Sequence, residues 1–218
     1  MRTILNKYRV RSSSEGGFSL IELIVAISIL LILSTALLLN YNSMNTRLTL
    51  DTLAHQTAQW VRATQVLAMS VKQTTGANKF PGYGLHFDRA TPDQFVFFAD
   101  FGDGAGGLPN KLYDPPTGAE KCGDPGVECQ EVINLQRGNK ITKLCMPATG
   151  TSAVVDCGAY HFASILDFVF TRPDPDANIT GKDASGFSSI SFGRITVAAP
   201  SGYVRTVEVW TTGQVSVQ

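Results

Sequence analysis

The stretch SSSEGGFSLIELIVAISILLILSTALLL, residues Ser12–Leu39, joins a glycine pair to a long apolar run that holds one carboxylate. In the 22 residues Phe18–Leu39, 17 side chains are apolar. A helix of this length crosses a hydrocarbon core of about 30 Å, so the run predicts a membrane-spanning helix. Glu22 lies inside the run, and a carboxylate buried in a membrane needs a partner. The stretch therefore predicts a membrane helix whose one carboxylate is there to be paired.

The charges are distributed unevenly on either side of this run. The formal net charge is zero, but residues 1–17 carry four basic side chains against Glu15, a net of +3, and the remainder has 14 basic against 17 acidic side chains, a net of −3. A short basic segment before an apolar run stays in the cytoplasm. The pattern predicts a single-pass protein of the cytoplasmic membrane with an extracytoplasmic C-terminal part. The acidic balance of that part gives no reason to expect nucleic-acid binding.

Residues 1–17 are predicted to be a cytoplasmic leader peptide that is removed. In a secretory signal the apolar run precedes a small-residue cleavage site and is discarded. Here the small residues Gly16 and Gly17 come before the run. Cleavage after Gly17 would remove the basic leader and retain the apolar segment.

One long helix is predicted after the leader, because no proline or glycine occurs in the 58 residues Phe18–Thr75. We expect residues 18–39 to span the membrane and residues 40–75 to continue as an amphipathic helix. Asn40–Asn45 is the segment where a bend or local melting is expected, since Asn and Ser compete for backbone hydrogen bonds. The apolar stripe follows steps of three and four residues and consists of Leu50, Leu53, Ala54, Thr57, Trp60, Val61, Thr64, Leu67, Ala68 and Val71.

Residues 76–218 are predicted to form an extracytoplasmic β-rich globular domain, because glycine, proline and β-forming residues dominate there. The final predicted strand segment is expected to be a hairpin that turns at Thr212-Gly213. Together these elements predict an α+β fold, with a long N-terminal helix packed on one face of a C-terminal antiparallel β-sheet. The predicted strand segments are Gly82–Phe87, Gln94–Ala99, Glu131–Leu135, Lys140–Cys145, Asp167–Thr171, Ser188–Val197 and Tyr203–Val217.

The cysteines predict disulfides rather than a metal site. All four, Cys122, Cys129, Cys145 and Cys157, lie in the part predicted to be external, where disulfides persist. Four cysteines allow three pairings. Short local loops favour Cys122–Cys129 and Cys145–Cys157. No CxxC pair occurs and the three histidines are far apart in sequence, so no metal is predicted here.

The segment GGFSLIELIVAISILLIL resembles the N-terminus of type IV pilins and of the pseudopilins of type II secretion. Gly17, Phe18 and Glu22 match the family pattern position by position. The resemblance implies that a prepilin peptidase cuts between Gly17 and Phe18, and that the new Phe18 amine is methylated. It also implies that Glu22 pairs with the Phe18 amine of a neighbouring subunit, although a pairing within one chain remains open.

This resemblance implies a structural subunit, not an enzyme, with no cofactor and no catalytic residues. Its implied partners are other pilins or pseudopilins in a hetero-oligomeric filament, the prepilin peptidase and an inner-membrane assembly platform. Many pilins carry a proline where this chain has Leu39; this departure disfavours a major filament subunit and leaves a minor one open. The C-terminal segment also resembles GspH/FimT-type minor pseudopilins, at Gly193, Arg205, Thr206, Val207, Val209, Thr212, Gly213 and Val215.

Two other functions remain open from the sequence. The chain could be a major pilin subunit. Alternatively, it could be a membrane-anchored surface binding or adhesion module that uses the long loop Asp100–Cys129 as its contact surface.

Weaker signals suggest other chemistry. Asp100, Asp103 and Asp114 are candidates for calcium, since hard cations take several oxygens from one flexible loop, but the D-x-D-x-D-G order is absent and Asp-Gly is ordinary turn chemistry. Arg194 and Arg205 are a small electrostatic footprint for DNA, so paired or solvated arginines are the simpler interpretation. For His86, His161 and Ser164 no catalytic motif is present, and they are interpreted as core or surface residues.

Overall fold

A computed structural model describes residues 17–70, 81–102, 109–147 and 162–218, without the side chains of 39–43. The chain divides into two compact units, Met1–Asn42 and Ser43–Gln218. Most of the leader, the expected helix residues after 70, and the predicted site residues Asp103, Cys157 and His161 lie outside the described residues.

The helix α1 spans Leu20–Met69, which is 50 residues. The helix begins two residues later than predicted, since Phe18 and Ser19 are not helical. The Ser19 carbonyl accepts a hydrogen bond from the N–H of Leu23 at 3.1 Å. The backbone is helical through Asn40–Asn45, so the local melting expected there is not found. Long helix-forming sequence on both sides explains this, since propagation adds one hydrogen bond for each residue fixed.

Ten strands follow the helix in the described residues, and most of the predicted segments are strands. The prediction was wrong at two places. It missed Ala177–Asp183, whose ANITGKD sequence has only two apolar side chains, Ala177 and Ile179, and it read Ser188–Val197 as one strand where the structure has two. The strands are β1 Gly82–Asp88, β2 Gln94–Asp100, β3 Cys129–Asn134, β4 Lys140–Cys145, β5 Ile165–Phe170, β6 Ala177–Asp183, β7 Gly186–Ile190, β8 Phe192–Ala198, β9 Val204–Trp210 and β10 Val215–Val217.

The described strands form two antiparallel sheets, so the predicted α+β fold with an antiparallel β-domain is confirmed. The larger has six strands in the order β3-β2-β1-β5-β6-β7, and the smaller has four in the order β10-β9-β8-β4. Ser191 alone separates β7 in the larger sheet from β8 in the smaller one. The predicted hairpin is present as β9 and β10, with a turn at Thr211–Gly213.

The main core lies between the two sheets and the second half of α1. Leu50, Val61, Phe168 and Ile195 belong to one buried cluster, which α1, β5 and β8 share. The helix therefore packs on residues of both sheets, which corrects the expectation that it covers one sheet face. Gly193 permits the close approach of the sheets, since a Cβ there would lie 2.7 Å from the ring of Phe168.

Polar contacts also fix α1 to the sheets within the unit Ser43–Gln218. Asp51 forms an ion pair with Arg205 of β9. Arg47 donates a hydrogen bond to the hydroxyl of Tyr203, and its guanidinium carbon lies 4.1 Å from that ring's centroid. The rings of Trp60 and Phe97 are 5.8 Å apart, so the tryptophan predicted as core packs against β2.

A second, smaller core lies on the opposite face of the six-stranded sheet, which we call the loop face. Val96, Phe98 and Val169 form it together with Val127 and Cys129. Tyr113 packs against the same cluster. The loop that contains residues 109–128 therefore covers this face of the sheet.

Candidate functional site

The predicted cleavage site lies immediately before the helix. Gly17 and Phe18 precede α1, and 82% of the Phe18 surface is exposed. A Cβ built on Gly17 would meet nothing within 4 Å. Packing of the described atoms therefore places no demand for glycine at position 17.

Glu22 lies in the first turn of α1 and is exposed. The N-terminal end of a helix carries partial positive charge, so a carboxylate in the first turn is favourably placed. Phe18 lies four residues before Glu22, about one helical turn away along the chain. Glu22 and the backbone nitrogen of Phe18 therefore both lie near the N-terminal end of α1.

The apolar segment after Phe18 is suited to a membrane. Leu20–Leu38 has 19 residues with a mean hydropathy of 2.6, and none of it is buried inside the structure. Its length as a helix, about 29 Å, matches the hydrocarbon thickness of a bilayer. Ser28 donates to the carbonyl of Ile24, and Thr35 to that of Leu31, each at 2.8 Å. Both hydroxyls are thereby satisfied inside the helix, which lowers their cost in lipid.

A family model for the prokaryotic N-terminal methylation motif matches residues 12–38. This match supports membership of the type IV pilin and pseudopilin family. The family that carries this motif is a family of structural subunits. Comparisons with curated proteins and with solved structures give no match. The finer resemblance to GspH/FimT-type subunits, and the roles of Gly17, Phe18 and Glu22, stay predictions.

In the β-rich part of the chain, buried carboxylates hold the loop over the loop face. Asp100 accepts the backbone N–H groups of Asn110 at 3.1 Å and Lys111 at 2.9 Å. Glu128 accepts those of Phe101 at 2.9 Å, Gly102 at 3.2 Å and Asp114 at 2.7 Å. These oxygens bind the protein's own backbone, so the two carboxylates order the loop from both ends.

Burial shifts the protonation of these groups. Desolvation raises the pKa of Glu128 to about 7, opposed by its backbone hydrogen bonds and reinforced by Asp100 and Asp114. The pKa of Asp100 is also raised, mainly by burial. Near pH 7 the neutral form of Glu128 is therefore about as populated as its carboxylate.

The structure describes two of the three calcium candidates, Asp100 and Asp114. Asp100 and Asp114 both lie around Glu128, and Asp114 also accepts the side-chain amide of Asn110 at 3.1 Å. Asp103 lies outside the described residues. Within the described ranges, no group of three or more His, Cys, Asp or Glu side chains is arranged to hold a metal ion.

His86 and Asp167 face each other across β1 and β5 on the loop face. His86 Nδ1 lies 2.6 Å from Asp167 Oδ1, and the ring of Tyr113 packs against the imidazole at a tilt of 43°, with the ring centroids 4.6 Å apart. Burial raises the pKa of Asp167, and the hydrogen bond from His86 opposes this. Burial, with the charges of Glu128 and Asp167, raises the pKa of Tyr113 to about 12. The histidine expected in the core or at the surface is thus part of the support for the loop.

The cysteines also restrain this loop. Cys122 and Cys129 form a disulfide across seven residues, which is one of the two expected pairs. Cys145 at the end of β4 is disulfide-bonded as well. Its expected partner, Cys157, lies outside the described residues.

The remaining candidates have structural partners. Arg194 Nε donates to Glu208 Oε1 at 2.7 Å across β8 and β9, and Arg205 pairs with Asp51. The Ser164 hydroxyl donates to the carbonyl of Lys182 at 3.1 Å. Sequence reasoning missed Glu128, Tyr113 and Asp167. No short motif could have found them, since their partners are backbone groups or residues distant in sequence.

Proposed function

We infer that this chain is a minor pilin or pseudopilin, a structural subunit of a type IV pilus or of a type II secretion system. The observation that carries this proposal is the methylation motif at residues 12–38, continuous with an apolar helix whose side chains are unburied over Leu20–Leu38. An apolar helix of this kind is stable either in lipid or against similar helices of neighbouring subunits.

Assembly in this proposal begins with cleavage between Gly17 and Phe18. The cut creates an amine that is mostly charged at neutral pH, because an α-amino group has a reference pKa of about 8. Glu22 of a neighbouring subunit supplies the opposite charge. The pairing matters because a lone charge among apolar helices is expensive, whereas a paired charge is tolerated.

The proposal includes an orientation and a subunit class. The basic leader of net +3 supports a cytoplasmic N-terminus and an extracytoplasmic β-domain, where disulfides such as Cys122–Cys129 persist. Leu39, in place of the family's frequent proline, supports a minor rather than a major subunit.

Mass spectrometry of the N-terminus tests the class. The full chain is expressed with a prepilin peptidase, and the mature protein is expected to start at N-methylated Phe18. An intact Met1 in the presence of active peptidase would instead indicate a plain membrane anchor. Quantitative mass spectrometry of purified filaments then tests the subunit type, and a minor subunit is expected to be far less abundant than the main filament protein.

A further inference from the structure

A groove lies between the second half of α1 and the region where β3 ends. Its volume is about 720 Å³, within the range of roughly 300–1,000 Å³ that is usual for ligand sites. Leu53, Trp60 and Ile133 supply apolar surface, and Gln56 and Asn134 supply amides. We call it the β3 groove.

The charge of the β3 groove is one-sided. Arg137 is the single charged side chain among its described lining residues, and the other polar ones are amides and hydroxyls. A smaller cavity of about 350 Å³ adjoins it and shares Thr49, Arg137 and Asn139, again with no carboxylate among its described lining. This arrangement favours a ligand that brings a negative charge.

Arg137 is held in an unusual conformation at this position. Its φ of 60° lies in the left-handed region, which non-glycine residues seldom adopt. The guanidinium Nη1 donates to the hydroxyl of Thr49 on α1 at 3.1 Å. The contact with α1 fixes the cation at the groove before any ligand arrives, which reduces the cost of binding.

The same groove runs beside the outer edge of β3, which is the terminal strand of the six-stranded sheet in the described residues. The N–H of Leu135 donates to the carbonyl of Asp93 at 2.7 Å. Antiparallel pairing alternates, so Ile133 also directs its backbone groups toward β2. The N–H and C=O groups of Val132 and Asn134 therefore point away from the sheet, available to an added strand.

We propose that the β3 groove binds an extended acidic peptide segment of another protein. The segment adds to β3 through the backbone groups of Val132 and Asn134. One of its carboxylates pairs with Arg137, and an apolar side chain packs near Leu53 and Trp60. Strand addition gives affinity through main-chain hydrogen bonds, and the flanking pockets give specificity. The volume exceeds what a single small anion needs, and one cation is too weak a footprint for a nucleic acid.

Fluorescence anisotropy of the full chain in a neutral detergent tests this proposal. The probe is a labelled octapeptide with the repeat Glu-Ser-Val-Ser, whose Glu and Val side chains lie on the same face of an extended strand, compared with the same peptide in which Lys replaces Glu. A third probe is the acidic peptide with alternate backbone nitrogens methylated, which cannot complete the strand pairing. We expect the unmodified acidic peptide to bind, and the other two to bind at least about tenfold more weakly.

Variants assign the binding to the groove. Arg137→Gln is expected to weaken binding of the acidic peptide about tenfold, whereas Arg62→Gln, an exposed arginine of α1 outside the groove, leaves it unchanged. Absence of binding up to about 1 mM, equal binding of the basic or methylated peptide, or an unchanged affinity in Arg137→Gln would overturn the proposal. Self-association of the chain that Val132→Pro abolishes would assign the edge to a second copy instead, and would overturn it as well.

Discussion

Glu128 accepts a hydrogen bond from the backbone N–H of Asp114 at 2.7 Å, across fourteen residues of the loop that covers the loop face. Its other carboxylate oxygen accepts the N–H of Phe101 at the start of that loop. One buried side chain thus connects the beginning, the middle and the end of the loop. A change in its protonation is therefore a change in the loop's support.

Glu128 makes the stability of the β-domain depend on pH. Its folded pKa of about 7 lies above the reference value of 4.5, so the folded state holds the proton more tightly than the unfolded state. Its stabilising contribution is complete below pH 4.5 and is lost as the pH rises through about 7. We expect the free energy of unfolding of the wild type, relative to Glu128→Gln, to fall across this window in denaturant titrations followed by tryptophan fluorescence.

Glu131→Gln is the matched control for this measurement, because Glu131 lies exposed on the adjacent strand β3. It is expected to leave the pH dependence of unfolding unchanged. A wild-type stability, measured relative to Glu128→Gln, that stays constant between pH 4.5 and 7 would contradict the assignment to Glu128.

The packing of α1 on the sheets is tested by two leucines of one helix. Leu50 is 1% exposed in the main core and Leu48 is 61% exposed. Leu50→Ala is expected to lower the free energy of unfolding by about 2–5 kcal/mol, through lost burial and a cavity, whereas Leu48→Ala changes it by less than about 0.5 kcal/mol. Similar losses in the two variants would mean that the helix does not dock on the domain through the Leu50 face.

Gly17→Val tests whether glycine serves the protease rather than the fold. Because a Cβ at this position meets no described atom within 4 Å, we expect membrane insertion and the stability of the β-domain to be unchanged. Cleavage should fall at least about tenfold, because a branched side chain obstructs the extended backbone. Ser19→Ala, on the other side of the bond, is the control, and the mass of the mature N-terminus is the readout. Wild-type processing of Gly17→Val would refute the prediction.

Glu22→Ala tests the assembly role of the carboxylate. Removing one charge from an apolar helix favours insertion, so the variant should reach the membrane normally. Incorporation into filaments should fall at least about tenfold, since an unpaired ammonium among apolar helices costs several kcal/mol. Ser28→Ala, whose hydroxyl bonds only within the helix, is the control in the same immunoblots of sheared filaments. Normal incorporation of Glu22→Ala would show that Glu22 is not needed for assembly.

The sequence predicted the elements whose signal is local. The stripe that contains Leu50, Thr57 and Thr64 is buried as expected, and the segment Lys140–Cys145 is a strand with the predicted bounds. The division into two sheets could not be read in the same way. Ile190 and Phe192 are both apolar, and only Ser191 separates them in sequence. Their pairing partners, on β6 and on β9, are what assigns them to different sheets.

The residues of the candidate site also differ in whether a local sequence pattern predicts them. Gly17, Phe18 and Glu22 are recognised by spacing alone, because a short linear segment carries the motif. The support of the loop depends instead on tertiary contacts, as in the pair His86 and Asp167, which are 81 residues apart in sequence. Neither segment contains a sequence pattern that predicts its contact with the other.

Ser191 has a mechanical consequence for the whole β-domain. One residue spans less than about 4 Å, so the chain between the two sheets has no slack. Neither sheet can detach while the other stays folded without stretching this link or breaking the bond from the N–H of Thr211 to the Ser191 carbonyl, which is 3.0 Å long. Unfolding of one sheet is therefore transmitted directly to the other. Amide protons in β6 and β9 should exchange together in a single cooperative opening.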